Sequence, residues 1–140
     1  MRSSARVLLF ALPLLLGTTG CGKLREIKAC RGLSSEVNPV LDEIEQLSRS
    51  NAADRELRMA KQYLELSKRI APRGVGETVL AGAVRDYAAL LASADGALRA
   101  HAEAVQSNNT ARISETRREL ERLVKRERAA VTRINVECKA

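Results

Sequence analysis

Apolar side chains return every three or four residues along most of this chain, which is the period of one face of an α-helix. Runs of β-branched residues are absent from the sequence, and glycine and proline cluster at few places. The sequence therefore predicts an all-α protein whose apolar stripes pack together. The stripes are Ile27, Cys30, Leu33, Val37, Leu41, Ile44 and Leu47; Met59, Tyr63, Leu66 and Ile70; Leu80, Val84, Tyr87, Leu91, Ala94, Leu98, His101 and Val105; and Ile113, Leu120, Val124, Val131, Ile134 and Cys138, flanked by Leu123 and Ala130.

Three short segments rich in polar residues or glycine separate the stripes, at residues 50–54, 72–76 and 107–110. Short connections make consecutive helices antiparallel, so the sequence predicts an up-and-down bundle. If residues 50–54 form a true turn the bundle has four helices, and otherwise it has three. Asn38-Pro39 also interrupts the first stripe. Because proline removes a helical hydrogen bond, we expect either a kink there or a new helix capped by Asn38.

The first twenty residues follow a different pattern. Arg2 and Arg6 accompany an apolar run at residues 7–16, and small residues follow at 17–20. A basic start, a short apolar run and a small-residue end are typical of a secretory signal peptide. The run is too short to cross a bilayer as a helix, which takes about 20 residues. We therefore expect an exported protein with a signal over residues 1–20.

The segment Thr18-Thr19-Gly20-Cys21 resembles the lipobox of bacterial lipoproteins, although Thr18 stands where leucine is usual. The resemblance implies that the signal is cut before Cys21 and that Cys21 then carries lipid, including palmitate. It also implies a membrane-anchored protein that faces the periplasm. Gly22 is not the aspartate that marks inner-membrane retention, so the outer membrane is favoured. The expected division is a signal at 1–20, a lipidated tether at 21–29 and a bundle domain at 30–140.

The amino-acid composition argues against several classes of partner for the exported chain. Without residues 1–20 it has 120 residues, enough for one domain, and its net charge falls from +7 to +5. The excess of arginine over lysine, with abundant alanine, is what a GC-rich genome favours, so it does not indicate a nucleic-acid partner. Only two aromatic residues remain, Tyr63 and Tyr87. Because sugars and single strands bind through stacked aromatic rings, we expect neither ligand.

Cysteine usage bears on the number of helices. With Cys21 lipidated, Cys30 and Cys138 form an even pair in an oxidising compartment, and each lies on an apolar stripe. A disulfide needs Cα atoms within about 7 Å, and only an even number of antiparallel helices brings the two chain ends together. A Cys30–Cys138 bond therefore predicts four helices. The alternative is two free or intermolecular cysteines.

The short tether would place the disulfide end of the bundle against the membrane. Nine basic residues and three acids, Glu26, Glu77 and Glu137, are expected there, giving this basic end a net charge of +6. Bases near anionic headgroups contribute about 1 kcal/mol each, so the patch would help to seat the protein. The alternative is a solvated end whose charge is incidental. The bases are Lys23, Arg25, Lys28, Arg31, Lys68, Arg69, Arg73, Arg133 and Lys139.

Catalytic motifs are missing from the sequence, which has one histidine, no paired-carboxylate motif and no glycine-rich phosphate loop. We therefore expect no enzyme and no cofactor, but a membrane-anchored structural or interaction module with an envelope protein as its possible partner. The alternative is a small-ligand, haem or metal binder. For that role His101 and Met59 both lie on inward stripes, near the bundle end opposite the disulfide.

Overall fold

The computed structural model describes residues 19–139 and the side chains from residue 22 onward. Residues 1–18 of the expected signal and the side chain of Cys21 therefore lie outside the described residues, whereas residues 19 and 20 belong to the first helix. Within that range the fold is an all-α bundle of four antiparallel helices, which confirms the predicted class. The helices are α1 (Thr19–Ser48), α2 (Arg55–Ile70), α3 (Val79–Gln106) and α4 (Thr110–Lys139), with a short 3₁₀ turn at Ala71–Gly74.

The first helix runs unbroken through Pro39, so of the two alternatives, a kink or a new helix capped by Asn38, the new helix is wrong. Proline leaves the carbonyl of Ser35, four residues earlier, without its helical partner. Ser35, Asn38 and Pro39 are all exposed, so water can satisfy that carbonyl. The buried residues Val37 and Val40 hold the helix to the core on its other face.

A true turn separates α1 from α2, as the four-helix alternative requires. Ser50 donates its backbone N–H to the Leu47 carbonyl at 3.0 Å, and Arg55 donates its own to Ala52 at 3.1 Å. The Arg55 guanidinium also donates to the Ser50 carbonyl at 3.2 Å. Asp54 precedes α2 but makes no capping hydrogen bond with its side chain, so the backbone and Arg55 shape this turn.

The α2–α3 connection is compact because of one glycine. Gly74 is buried at the end of the 3₁₀ turn, and a Cβ there would lie 2.9 Å from the backbone of Arg85. The Arg85 guanidinium in turn donates to the Gly74 carbonyl at 2.9 Å. Thr78 then caps α3 by accepting the Ala81 N–H at 3.1 Å.

The α3–α4 turn uses two consecutive asparagines in different ways. Asn108 adopts a left-handed φ of 52°, which asparagine tolerates better than most residues. Asn109 caps α4, because its side-chain oxygen accepts the Arg112 N–H at 3.0 Å. The break predicted at residues 107–110 is therefore confirmed.

The third helix is the centre of the bundle. It packs along both α2 and α4, whereas α1 packs on α2 and comes close to α4 only locally. Tyr87, Leu91 and Val84 of α3 are almost completely buried. The buried Ser67 hydroxyl of α2 donates to the Ala88 carbonyl at 2.7 Å, so the α2–α3 contact includes a satisfied polar group.

A disulfide joins Cys30 to Cys138, with Cα atoms 5.7 Å apart, as the cysteine argument predicted. It ties α1 to α4 across 108 residues of chain at the end where these helices meet. Three stripe positions are wrong, since Ile27, Val105 and Val124 are exposed. On α4 the buried line passes through Leu123 instead of Val124.

Candidate functional site

The segment expected to be a tether is the first part of α1. The helix begins at Thr19, and residues 22–29 are all exposed. At a rise of about 1.5 Å per residue, Cys21 lies roughly 14 Å along the helix from Cys30. Leu24 is 68% exposed and Ile27 is 41% exposed, among the bases Lys23, Arg25 and Lys28. This stretch presents apolar and basic side chains to its surroundings.

Several members of the basic end are paired with acids that the sequence argument did not count. Arg73 forms a two-pronged pair with Glu36, at 2.5 and 3.0 Å, and its guanidinium lowers the pKa of that carboxyl. In addition, Arg133 pairs with Asp86 at 3.0 Å and Lys68 with Glu65 at 3.4 Å. The net charge of this end is therefore smaller than +6. The bases with no carboxylate within 4 Å among the described residues are Lys23, Arg25, Lys28, Arg31, Arg69 and Lys139.

Four of the bases line one shallow depression between α1 and the 3₁₀ turn. They are Arg25, Lys28 and Arg31 of α1 and Arg73 of the turn. Gly32 lies below the Arg73 guanidinium, and a Cβ at that position would stand 2.9 Å from Nη1. The glycine therefore lets Arg73 lie flat on α1 beside the other bases. We call this feature the basic depression; its charge suits an anionic group such as a phosphate.

A second feature is an apolar cavity of about 200 Å³ between α2, α3 and α4. Val124 at its edge is 46% exposed, so the cavity opens to solvent beside α4. Its wall is aliphatic except for three side chains, the thioether of Met59, the ring of Tyr63 and the carboxyl of Glu127. The remaining lining residues are Leu90, Leu91, Ala94, Leu98, Leu120, Leu123 and Val124.

Glu127 lies half-buried beside both tyrosines. The Tyr87 hydroxyl donates to Glu127 Oε1 at 3.5 Å, a long hydrogen bond. Burial raises the pKa of Glu127. Burial also raises the pKa of Tyr63 to about 12 and that of Tyr87 further, and the Glu127 charge adds to both shifts. Among the described residues, no Lys, Arg or His nitrogen lies within 4 Å of this carboxylate.

Met59 and His101 have different surroundings. Met59 lines the cavity, whereas His101 is not among its lining residues. The Thr116 hydroxyl lies 2.8 Å from the Arg112 carbonyl oxygen and 2.8 Å from His101 Nδ1. The His101 ring is thus hydrogen-bonded to Thr116 and held beside α4. No group of three or more His, Cys, Asp or Glu side chains is placed to hold a metal in the part of the chain that the structure describes.

Glu127 and Thr116 were not predicted as inward residues because the stripe predicted for α4 contains apolar residues only. Both residues lie on the inward line of α4, which repeats every three or four positions. A polar residue that falls in register with such a repeat is the signal that could have identified them. The line is Ile113, Thr116, Leu120, Leu123, Glu127, Ala130, Ile134 and Cys138.

Comparison with known proteins gave no match to a family model, a curated protein or a solved structure. Within residues 19–139, no helix combines the length and the apolar character that a membrane span requires. The basic depression and the apolar cavity are the two features on which a functional proposal can be based.

Proposed function

We propose that this protein is a lipid-anchored, non-enzymatic module of the bacterial envelope. The lipid on Cys21 and the basic depression together seat the disulfide end on an anionic membrane surface. The remaining faces of the bundle are then directed into the periplasm, where an envelope protein is the expected partner. The outer membrane is the favoured location because Gly22 follows the lipidated cysteine.

The basic depression is the observation that carries this proposal. Three of its four bases, Arg25, Lys28 and Arg31, lie on the same helix as Cys21, at most about 15 Å along the axis from it. Arg25, Lys28 and Arg31 have no carboxylate within 4 Å among the described side chains, so their charge is available to headgroups. Leu24 and Ile27 are exposed on the same turns and would enter the boundary between headgroups and acyl chains.

The first experiment measures binding of protein that begins at Gly22 to lipid vesicles. Binding should require anionic phosphatidylglycerol and weaken with added salt, because mobile ions screen exposed charges. Replacing Arg25, Lys28 and Arg31 by glutamine should reduce partitioning by about two orders of magnitude, since each base contributes about 1 kcal/mol.

A matched control removes three positive charges that are already paired and lie elsewhere. Arg99, Arg112 and Arg122 pair with acids on their own helices. Their replacement by glutamine should change partitioning much less. Equal losses in the two triple variants would show that bulk charge, and not the basic depression, drives binding.

The second experiment tests the lipid itself. In cells, Cys21→Ser should block lipid attachment and leave an uncut or mislocalised precursor. Membrane fractionation with labelled palmitate checks this outcome. A variant that reaches mature size, stays in the membrane fraction and still incorporates palmitate would overturn the lipoprotein assignment.

A further inference from the structure

The apolar cavity contains an acid that the bundle does not neutralise. Glu127 extends from α4 toward α3, while its sequence neighbours Arg126 and Arg128 are exposed. Its one side-chain hydrogen bond among the described residues comes from Tyr87, at the long distance of 3.5 Å. The chain has 24 basic residues, yet among the described residues none places a cation within 4 Å of this half-buried carboxylate. Because a partly buried charge is stabilised by an opposite charge, a cationic ligand would bind favourably beside Glu127.

The aromatic residues lie beside the same carboxylate. Tyr63 lines the cavity and Tyr87 donates to Glu127, and these are the only aromatic residues after residue 20. Aromatic rings attract cations, and the combination of a ring with a carboxylate is a common way to hold an ammonium group. The same groups repel anions, so the site selects by charge.

We propose that the cavity between α2, α3 and α4 binds a small organic ammonium ion, whose apolar body fills the aliphatic wall and whose nitrogen pairs with Glu127. The cavity of about 200 Å³ is somewhat larger than an apolar protein cavity of ~150 Å³ that holds benzene. The ligand is therefore one ring or one short alkyl chain with a charged nitrogen at its end. The site is separate from the basic depression and does not depend on the membrane proposal.

The probe is benzylamine, titrated calorimetrically into the purified, disulfide-bonded protein at neutral pH. Benzyl alcohol has a similar shape without the charge, and benzoate carries the opposite charge. Saturable binding of benzylamine is expected, with benzyl alcohol about tenfold weaker and benzoate not measurable, because a half-buried ion pair is worth about one order of magnitude. If benzylamine does not saturate the protein, or binds no more tightly than benzyl alcohol, the proposal is overturned.

Glu127→Gln tests the carboxylate directly. Glutamine keeps an oxygen that can accept from Tyr87 but removes the charge. Benzylamine should then bind about tenfold more weakly, while benzyl alcohol should bind as before. Glu121→Gln removes one carboxylate from an exposed position of the same helix and should leave both affinities unchanged. Equal benzylamine affinities for Glu127→Gln and the wild type would overturn the assignment of Glu127.

The location of the ligand is tested with two exposed valines of α4. Val124→Phe adds a ring at the opening of the cavity, whereas Val136→Phe makes the same change at a residue that does not line it. Benzylamine should lose affinity only in the first variant, with circular dichroism showing that both remain helical. If Val124→Phe fails to fold, the Glu127→Gln comparison decides, because that change keeps the shape of the side chain.

Discussion

Tyr63, Tyr87 and Glu127 form one electrostatic unit. Each lies on an inward face of a different helix, and burial favours the neutral form of each. The Glu127 charge further opposes ionisation of both phenols. The charge on Glu127 therefore adds to the effect of burial in holding both tyrosines in their neutral form.

The two tyrosines should lose their phenolic protons at a higher pH in the folded protein than in the unfolded protein. A phenol whose folded pKa is raised contributes stability that is present below about pH 10 and is lost as pH rises toward about 12. The near-ultraviolet absorbance of tyrosinate reports this directly, because the sequence has no tryptophan. The native curve should lie well above that of protein unfolded in guanidinium chloride, and coincident curves would contradict the burial described here.

Among the elements, α4 shows how two polar residues can occupy an inward helical line without disturbing it. Thr116 donates its hydroxyl to the Arg112 carbonyl and is hydrogen-bonded to His101. Glu127 accepts from Tyr87 and lies next to a cavity that opens to solvent. Both groups therefore have a hydrogen-bonding partner on α3, which lets polar side chains occupy this inward line.

The N-terminus of α4 should depend on one asparagine of the turn and not on its neighbour. Asn109→Ala removes the oxygen that accepts the Arg112 N–H, and the loss of a cap costs about 1 kcal/mol. Asn108→Gly is the control, since glycine adopts the φ of 52° readily and should change stability by a few tenths of a kcal/mol. Urea unfolding followed by circular dichroism measures both, and similar losses would argue against the cap.

The sequence was sufficient for the helices, the three breaks and the Cys30–Cys138 bond, because these follow from local periodicity and chain direction. The sequence was insufficient for features that depend on contacts between residues far apart in the chain. Val105 is exposed while its neighbour Ala104 is buried, so the inward line of α3 passes through Ala104 and not through Val105. Arg73 and Arg133 lose their free charge to Glu36 and Asp86, which are 37 and 47 residues away in sequence. The cavity likewise depends on the distances between helices. The pattern of apolar residues gives the buried face of each helix but not these distances.

On the scale of the whole molecule, the disulfide links the first and the last helix, which have few packing contacts with each other. The α2–α3 and α3–α4 contacts are extensive, whereas α1 and α4 contact each other at few positions. The disulfide therefore adds a covalent bond between two helices that pack little on each other.

Removing the disulfide should be the most destabilising of the changes considered. Replacing Cys30 and Cys138 together by serine frees a loop of 108 residues, and the gain in unfolded-state entropy corresponds to about 4–5 kcal/mol. Urea unfolding should show this loss, and wild-type protein treated with a reductant should unfold at the same midpoint as the double variant. An oxidised wild type no more stable than the double variant would contradict the prediction.

The continuity of α1 has a mechanical consequence. The helix runs from residue 21, without a flexible joint, to a disulfide roughly 14 Å away along its axis. If Cys21 carries lipid as proposed, a pull on that anchor passes along α1, through the disulfide and into α4. This route does not pass through the packing of α1 on α2. The tension therefore reaches the far end of the bundle through the backbones of α1 and α4 and the disulfide that joins them.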